Sequence, residues 1–311
     1  MNSATLPSLA SFDAATTRST SILLPGIRRL TILDNRGRIR RFQPNAGQLM
    51  FLQSVEDQFA LRGYSRNIVL KARQIGFSTI IGAVGYQLCH LFDYYPGLIM
   101  AHDRETGGNL LGMVKRYRAF DPFAALYPLK TDAKATLEWE ISGSQLNVAT
   151  AGNRETGRGT TKRFIHQSEA AFYPDPKRTI AALKNAIHPV PSTFQAIEST
   201  ANGVGNAFHT EWEMAVAGES MYVPLFFPWH HHPDYLASAI GLPTFIGSYT
   251  EEERVLKRAF NLTDDQLAWR RWKLSDLGGD LELFRQEFPA DPEEAFRSTG
   301  QNVFPGDHLK R

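Results

Sequence analysis

Apolar and polar positions recur along this chain in two alternating registers, and the switches between them outline its elements. Asn67–Leu70 and Gly97–Ala101 are short apolar runs of the kind that fill buried strands. Between them, Ile80, Ile81, Val84, Leu88 and Leu91 fall at helical spacing, predicting a helix over 78–92. A second amphipathic helix is predicted over 109–120, with Lys115, Arg116 and Arg118 on its wet side. Period-two alternation over 135–141 and 145–149, about Ser142-Gly143-Ser144, predicts a hairpin. Strands are then expected at 163–167, 193–197 and 221–227, with helices at 177–187 and 206–217 between them. Repeated strand–helix–strand order argues for an α/β fold with a mostly parallel central sheet flanked by helices. After Pro228 the strand runs stop, and 251–260, 264–274 and 281–288 read as short helices of a smaller subdomain.

Composition narrows the class without naming a function. The chain has 311 residues with 42% hydrophobic positions, enough for a sizeable core and too many for global disorder. No apolar stretch approaches a membrane span, and the N-terminus lacks the pattern of a secretory signal, so no membrane association is expected. The single cysteine, Cys89, excludes an internal disulfide and fits a reducing compartment. The formal charge of +2 hides an arginine-rich head: Arg36, Arg38, Arg40 and Arg41 surround one turn. That head permits a polyanionic partner without requiring one.

In an open α/β sheet the chemistry sits where strands end and helices begin. The first such end is Lys71-Ala72-Arg73-Gln74-Ile75-Gly76-Phe77-Ser78-Thr79. It departs from the G-x-x-x-x-G-K-[ST] phosphate loop: Lys71 holds the first glycine position and Phe77 the lysine position. Gly76 still permits close backbone approach, the helix N-terminus still offers N–H donors, and Ser78 still offers a hydroxyl for Mg²⁺. The same residues would also serve as a plain basic loop before an amphipathic helix. The second end, Ile165-His166-Gln167-Ser168-Glu169, carries one carboxylate where a metal–nucleotide site uses an acidic pair. A surface glutamate beginning the next turn is the other reading. The third, Glu198-Ser199-Thr200-Ala201-Asn202-Gly203, places two hydroxyls at a strand tip, either to sense a phosphate or simply to turn the chain. Arg158, between Gly157 and Gly159, sits on a loop where an arginine reaches a neighbour's phosphate or only solvent. His230, His231 and His232 cannot all point at one ion, so no zinc site is expected there.

Taken in order, these segments resemble the large terminase subunit, the genome-packaging ATPase of tailed double-stranded DNA bacteriophages. The resemblance rests on the loop Lys71–Thr79, on Ile165–Phe172, on Glu198–Gly203, on Pro224–Trp229 and on Phe288–Phe296. It spans roughly residues 40–305. It implies a P-loop NTPase core of the RecA-like (ASCE) type with a small helical lid, ATP and Mg²⁺ as cofactors, and hydrolysis coupled to DNA translocation. By the same resemblance, Lys71 and Arg73 bind phosphates within the loop Lys71–Thr79, and Ser78 together with Glu169 serves Mg²⁺. Glu169 is then the catalytic carboxylate that orients water, Ser199 and Thr200 couple hydrolysis to movement, and Arg158 acts as a finger on a neighbour's ATP. Asn45 and Gln48 look like an adenine-recognising motif.

The expected organisation is a basic arm over 1–42, the ATPase core over 43–229, the lid over 230–300, and from 301 the start of a linker to a nuclease domain. That domain's clustered aspartates do not follow before Arg311, so no DNA cleavage is expected of this chain. The implied partners are double-stranded DNA, held by its phosphates without sequence preference, the small terminase subunit and the procapsid portal ring. The chain would form a homo-oligomeric ring when assembled and stand as a monomer alone, in the host cytoplasm at the portal. Ser168 departs from the family's metal-shell aspartate. A helicase-like P-loop ATPase and a nucleotide-binding scaffold without turnover are the alternatives.

Overall fold

The computed structural model describes residues 21–152, 161–244 and 247–297. An eight-stranded sheet runs through these residues in the order β10-β3-β9-β8-β4-β7-β6-β5. The six strands β10 (Val223–Phe227), β3 (Ser65–Lys71), β9 (Phe194–Ser199), β8 (Phe164–Ser168), β4 (Pro96–Ala101) and β7 (Gln145–Thr150) are mutually parallel. At one edge β6 (Thr136–Trp139) and β5 (Leu129–Asp132) continue antiparallel. The 136–150 hairpin is as its alternation predicts. β3 is buried at every position, which is why its sequence shows no period of two. Its Arg66 is tolerated there because carbonyls of Ser65 and His188 and the Thr193 hydroxyl accept from its guanidinium at 2.8, 2.8 and 3.0 Å.

Helices cover both faces. On one face α3 (Phe77–Leu91) and α4 (Arg104–Phe120) pack with α2 (Ala46–Arg62) over Val69, Ile99, Phe164 and Phe194. On the other, α5 (Pro176–Asn185), α6 (Ala207–Val216) and α10 (Pro292–Arg297) pack over Ile68, Leu70, Met100, Ile165 and Ile197. The lid helices α7 (Glu251–Phe260), α8 (Asp264–Asp276) and α9 (Leu281–Glu287) join the first core through an aromatic stack. Trp229 lies on Trp269 at 5.2 Å between ring centres, and Tyr235 lies on the same indole at 4.3 Å. Among the described residues no helix is long and apolar enough to cross a membrane.

Two segments differ from expectation. Residues 46–62 form α2, which apolar spacing did not predict. Leu49, Met50, Phe51, Leu52 and Val55 are buried together with Gln48 and Gln58, so the helix is wrapped on several sides and shows no single stripe. Residues 21–42, expected as part of an N-terminal basic arm, are packed on the body. Leu23, Leu24 and Ile27 of α1 (Leu23–Arg28), with Leu30, are buried in the first core. The arginine-rich turn lies in a two-stranded hairpin, β1 (Thr31–Leu33) and β2 (Ile39–Arg41), where Arg38 and Arg40 pair with Asp34 at 2.9 and 3.5 Å. The hairpin leans on the segment before α7, with Asn35 donating to Asp234 at 2.9 Å and Arg36 to the Ala239 carbonyl at 3.0 Å.

Candidate active site

The strand order brings three C-terminal strand ends side by side, β3, β9 and β8, each feeding a loop on the same edge of the sheet. After β3, the loop reaches α3 through Gly76, whose φ of +83° is the left-handed conformation that glycine adopts without strain. A Cβ at Gly76 would also stand 2.7 Å from the Gln48 amide nitrogen. The loop is braced on every side. Ala72 N–H donates to Phe227 O at 2.9 Å, Arg73 N–H to Glu287 O at 2.8 Å, and Gln48 Nε2 to Gly76 O at 2.7 Å. The departure at Phe77 has a packing cause: its ring is buried against Phe227 at 4.3 Å and Phe51 at 5.7 Å, on the core side of the helix.

The cation comes from the strand end instead. Lys71 Nζ lies 2.8 Å from Glu169 Oε1 and 3.3 Å from Glu198 Oε2, with its side chain 4% exposed. Burial works against this ammonium more than any other single influence, but the two carboxylates outweigh it and hold its pKa above the usual lysine range. Glu198 is wholly buried. Its Oε1 accepts from Ser78 Oγ at 2.8 Å and Ser168 Oγ at 3.0 Å, and faces His166 Nε2 at 3.2 Å. Burial again raises its carboxyl, yet Lys71, His166 and Ser78 together hold it well below the carboxylate range. Glu169 occupies the left-handed region at φ +52°, an uncommon conformation for a non-glycine residue. Its Oε2 accepts from Thr200 N–H at 3.2 Å and faces Ser199 Oγ at 3.4 Å.

The structure therefore brings Lys71, Ser78, Glu169, Ser199 and Thr200 together. A cleft of about 820 Å³ takes in Lys71, Gly76, Ser78, Glu169 and Thr200, and also Phe42, Asn45 and His232. Arg73 lines the same cleft, but its guanidinium pairs with Glu287 of α9 at 2.8 Å. Asn45 and Gln48, expected to recognise adenine, both line the cleft. Asn45 and Gln48 form a reciprocal cap at the start of α2, with Gln48 Oε1 accepting from Asn45 N–H at 2.9 Å while Nε2 holds the Gly76 carbonyl. The pair braces the phosphate-type loop. Arg158 and residues 298–311 lie outside the described residues. The histidine run is half-buried, with burial pushing His230 and His231 down to about 4. Among the described residues no group of three or more His, Cys, Asp or Glu is placed to hold a metal ion.

Sequence reasoning missed Glu198 and His166 as site residues. The signal for Glu198 was an acid closing the otherwise apolar and neutral strand Phe194–Ser199, one strand away from the site where an acid was lacking.

No protein-family model matches the chain, and no curated protein matches it. Solved structures do. The large terminase of bacteriophage HK97 matches over 86% of this chain with a TM-score of 0.59 and 16% identity. The large terminase ATPase domain of Thermus phage P74-26 matches over 80% with a TM-score of 0.51 and 15% identity. This chain covers 54% of the HK97 chain and 94% of the P74-26 domain. At such identities the likeness is one of fold: an α/β core with a mostly parallel sheet, shared with the ATPase domains of phage large terminases.

Proposed function

We propose that this chain is an ATP-hydrolysing motor subunit that drives viral double-stranded DNA into a preformed capsid, the ATPase part of a large terminase. The observation that carries this reading is the Lys71–Glu169–Glu198 cluster set against Ser78 at the N-terminus of α3. A buried ammonium ringed by carboxylates, beside free helix N–H groups and a glycine turn, is a place prepared for a phosphate chain. In this reading the triphosphate lies along Gly76–Thr79, and Lys71 exchanges a carboxylate for phosphate oxygens. Released from that ammonium, Glu169 accepts a hydrogen bond from the attacking water and aligns it with the terminal phosphorus. Ser199 and Thr200, already in contact with Glu169, feel the loss of phosphate first. Gln286, which donates to Ala201 O at 3.1 Å, links that tip to the lid.

The residues present fit a divalent ion. Ser78 and the Glu169 carboxylate face one cleft, and behind Ser78 the buried Glu198 Oε2 has no well-formed hydrogen bond, only the ion pair with Lys71. That is the sparse oxygen set on which Mg²⁺ sits when phosphates complete its shell. Bound with ATP, Mg²⁺ would neutralise charge developing on the phosphate oxygens. Arg158 is assigned as the finger acting on a neighbouring subunit, in a ring assembled on the portal with the small terminase subunit. DNA is held by its phosphates, with Arg36–Arg41 and Lys115, Arg116 and Arg118 as the candidate contacts. The working location is the procapsid portal in the host cytoplasm.

The test is phosphate release by purified chain with Mg²⁺-ATP. Glu169→Gln is expected to lower turnover by about 100-fold or more while nucleotide still binds, since a positioned base contributes on that order. Equal rates for Glu169→Gln, Lys71→Ala and the unsubstituted chain would end this assignment.

A further inference from the structure

A Mg²⁺-nucleotide site of the kind proposed above needs a carboxylate behind the loop hydroxyl. On β8, where the strand ends at Ser168, there is none. The adjacent strand supplies one. Ser168 and Glu198 are register partners across the β8–β9 ladder, so both side chains project from the same face of the sheet at the same level. On the other side Glu198 is level with Val69 of β3, two residues before Lys71, which therefore shares that face. The Ser168 hydroxyl is 3.0 Å from Glu198 Oε1, so the carboxylate fills the space next to the short side chain at 168.

We propose that Glu198 takes over the metal-side carboxylate role that Ser168 cannot perform, making it a positioning residue for the metal–nucleotide complex. The inference rests on the ATPase reading above.

Three observations support it. First, the Ser78 hydroxyl spends its only proton on Glu198 Oε1, at 2.8 Å. A hydroxyl that donates to a carboxylate turns its lone pairs the other way, here towards the cleft, and is thereby fixed as an acceptor: a ligand for a cation and not a donor to phosphate. Second, one ammonium faces two carboxylates across Lys71, Glu169 and Glu198, so the cluster carries net negative charge. A nucleotide arriving without a divalent ion meets that charge unshielded, whereas the metal complex brings its own compensation. Third, Glu198 is held as a second-layer group is held. Ser168 Oγ and His166 Nε2 converge on Oε1, while Oε2, fully buried, has only the Lys71 ion pair. With Lys71 turned to phosphate, Oε2 would be free to help hold the metal–nucleotide complex by accepting a hydrogen bond.

The experiment measures metal binding directly. Free Mn²⁺ is followed by electron paramagnetic resonance in the presence of the purified chain and a nonhydrolysable ATP analogue, and analogue affinity is measured separately in EDTA. The unsubstituted chain is expected to bind Mn²⁺ together with the analogue. Glu198→Gln is expected to lose Mn²⁺ affinity by about 10- to 100-fold, the usual effect of removing a group that orients a metal ligand, with analogue affinity in EDTA unchanged or tighter. Adding Ser168→Asp to Glu198→Gln returns a carboxylate to the same place from the neighbouring strand and is expected to restore most of the loss. If Glu198→Gln does not fold, Glu198→Asp takes its place: drawing the carboxylate back from Ser78 should weaken Mn²⁺ binding several-fold. Wild-type Mn²⁺ affinity in the folded substituted chain overturns the proposal, and so does a loss that Ser168→Asp leaves unrepaired. Failure of the unsubstituted chain to bind the analogue under either condition overturns the ATPase reading itself, and this proposal with it.

Discussion

Replacing Lys71 by methionine keeps the length of the side chain and removes its charge, leaving Glu198 buried without its ammonium partner. The gross attraction across 3.3 Å is about 5 kcal/mol at an effective dielectric constant of 20. Part of it is recovered, because Ser78, Ser168 and His166 still solvate Glu198 Oε1. Removing one partner of a buried pair costs about 3–5 kcal/mol, and with those hydrogen bonds in place the lower end, about 3 kcal/mol, is expected here. For a chain of this size that is a fall in thermal midpoint of about 5 °C. In a Glu198→Gln background the same Lys71→Met substitution breaks only the pair with the more exposed Glu169, and should cost about 1 kcal/mol or less. The two backgrounds should therefore differ by about 2 kcal/mol in a denaturant-unfolding double-mutant cycle.

The pH dependence carries a sign as well. Glu198 is held below the ordinary range, so its contribution is complete above the unfolded value of about 4.3 and is lost as pH falls beneath that. Lys71 is held above its ordinary value, so its contribution is complete below about 10.4 and is lost as pH rises further. Without Lys71 the Glu198 carboxyl moves up and can escape its charge by binding a proton. The deficit of Lys71→Met should be largest near neutrality and shrink towards about pH 5. Equal losses in both backgrounds, or a loss under about 1 kcal/mol in the first, would refute the buried-pair reasoning.

Gly76→Ala places a β-carbon on a left-handed backbone and 2.7 Å from the Gln48 amide, so it should destabilise the chain by about 2 kcal/mol in chemical denaturation. An unchanged unfolding midpoint would show that the loop does not need this conformation. His90, His230 and His231 are pushed down to about 4 by burial, which keeps them neutral in the fold. The unfolded chain binds their protons below about pH 6.5, so thermal stability should be full above that value and decline from there towards pH 5. A flat profile over that interval would contradict their burial as neutral groups.

The parts of the fold that were legible in the sequence are those where one physical demand acts alone. β3 and β4 read as strands because both their faces are buried, and α3 read as a helix because Ile80, Ile81, Val84 and Leu88 fall on one side. α2 is buried on several sides, which blurred its period, although its Asn45–Gln48 cap and the left-handed Gly63 that ends it were in plain view. The Gln48 amide that completes this cap also braces the loop at Gly76. At the site, Lys71, Ser78 and Glu169 could be found because they follow apolar runs at strand ends. Glu198 and His166 lie inside strands, where alternation alone assigns a face but not a partner. Only the β3–β9–β8 order, set by non-local pairing, shows that the acid on one strand stands beside the hydroxyl on the next.

The central claim is that the loop after β3 binds the phosphates of ATP with a cation drawn from the strand end. A crystal structure with a nonhydrolysable ATP analogue and Mg²⁺ tests it most directly. The account predicts phosphates along Gly76–Thr79, with Lys71 Nζ moved from its carboxylates onto phosphate oxygen and Glu169 facing the terminal phosphorus. An analogue bound elsewhere, or a Lys71 that keeps both carboxylates while the phosphates lie out of its reach, would contradict it.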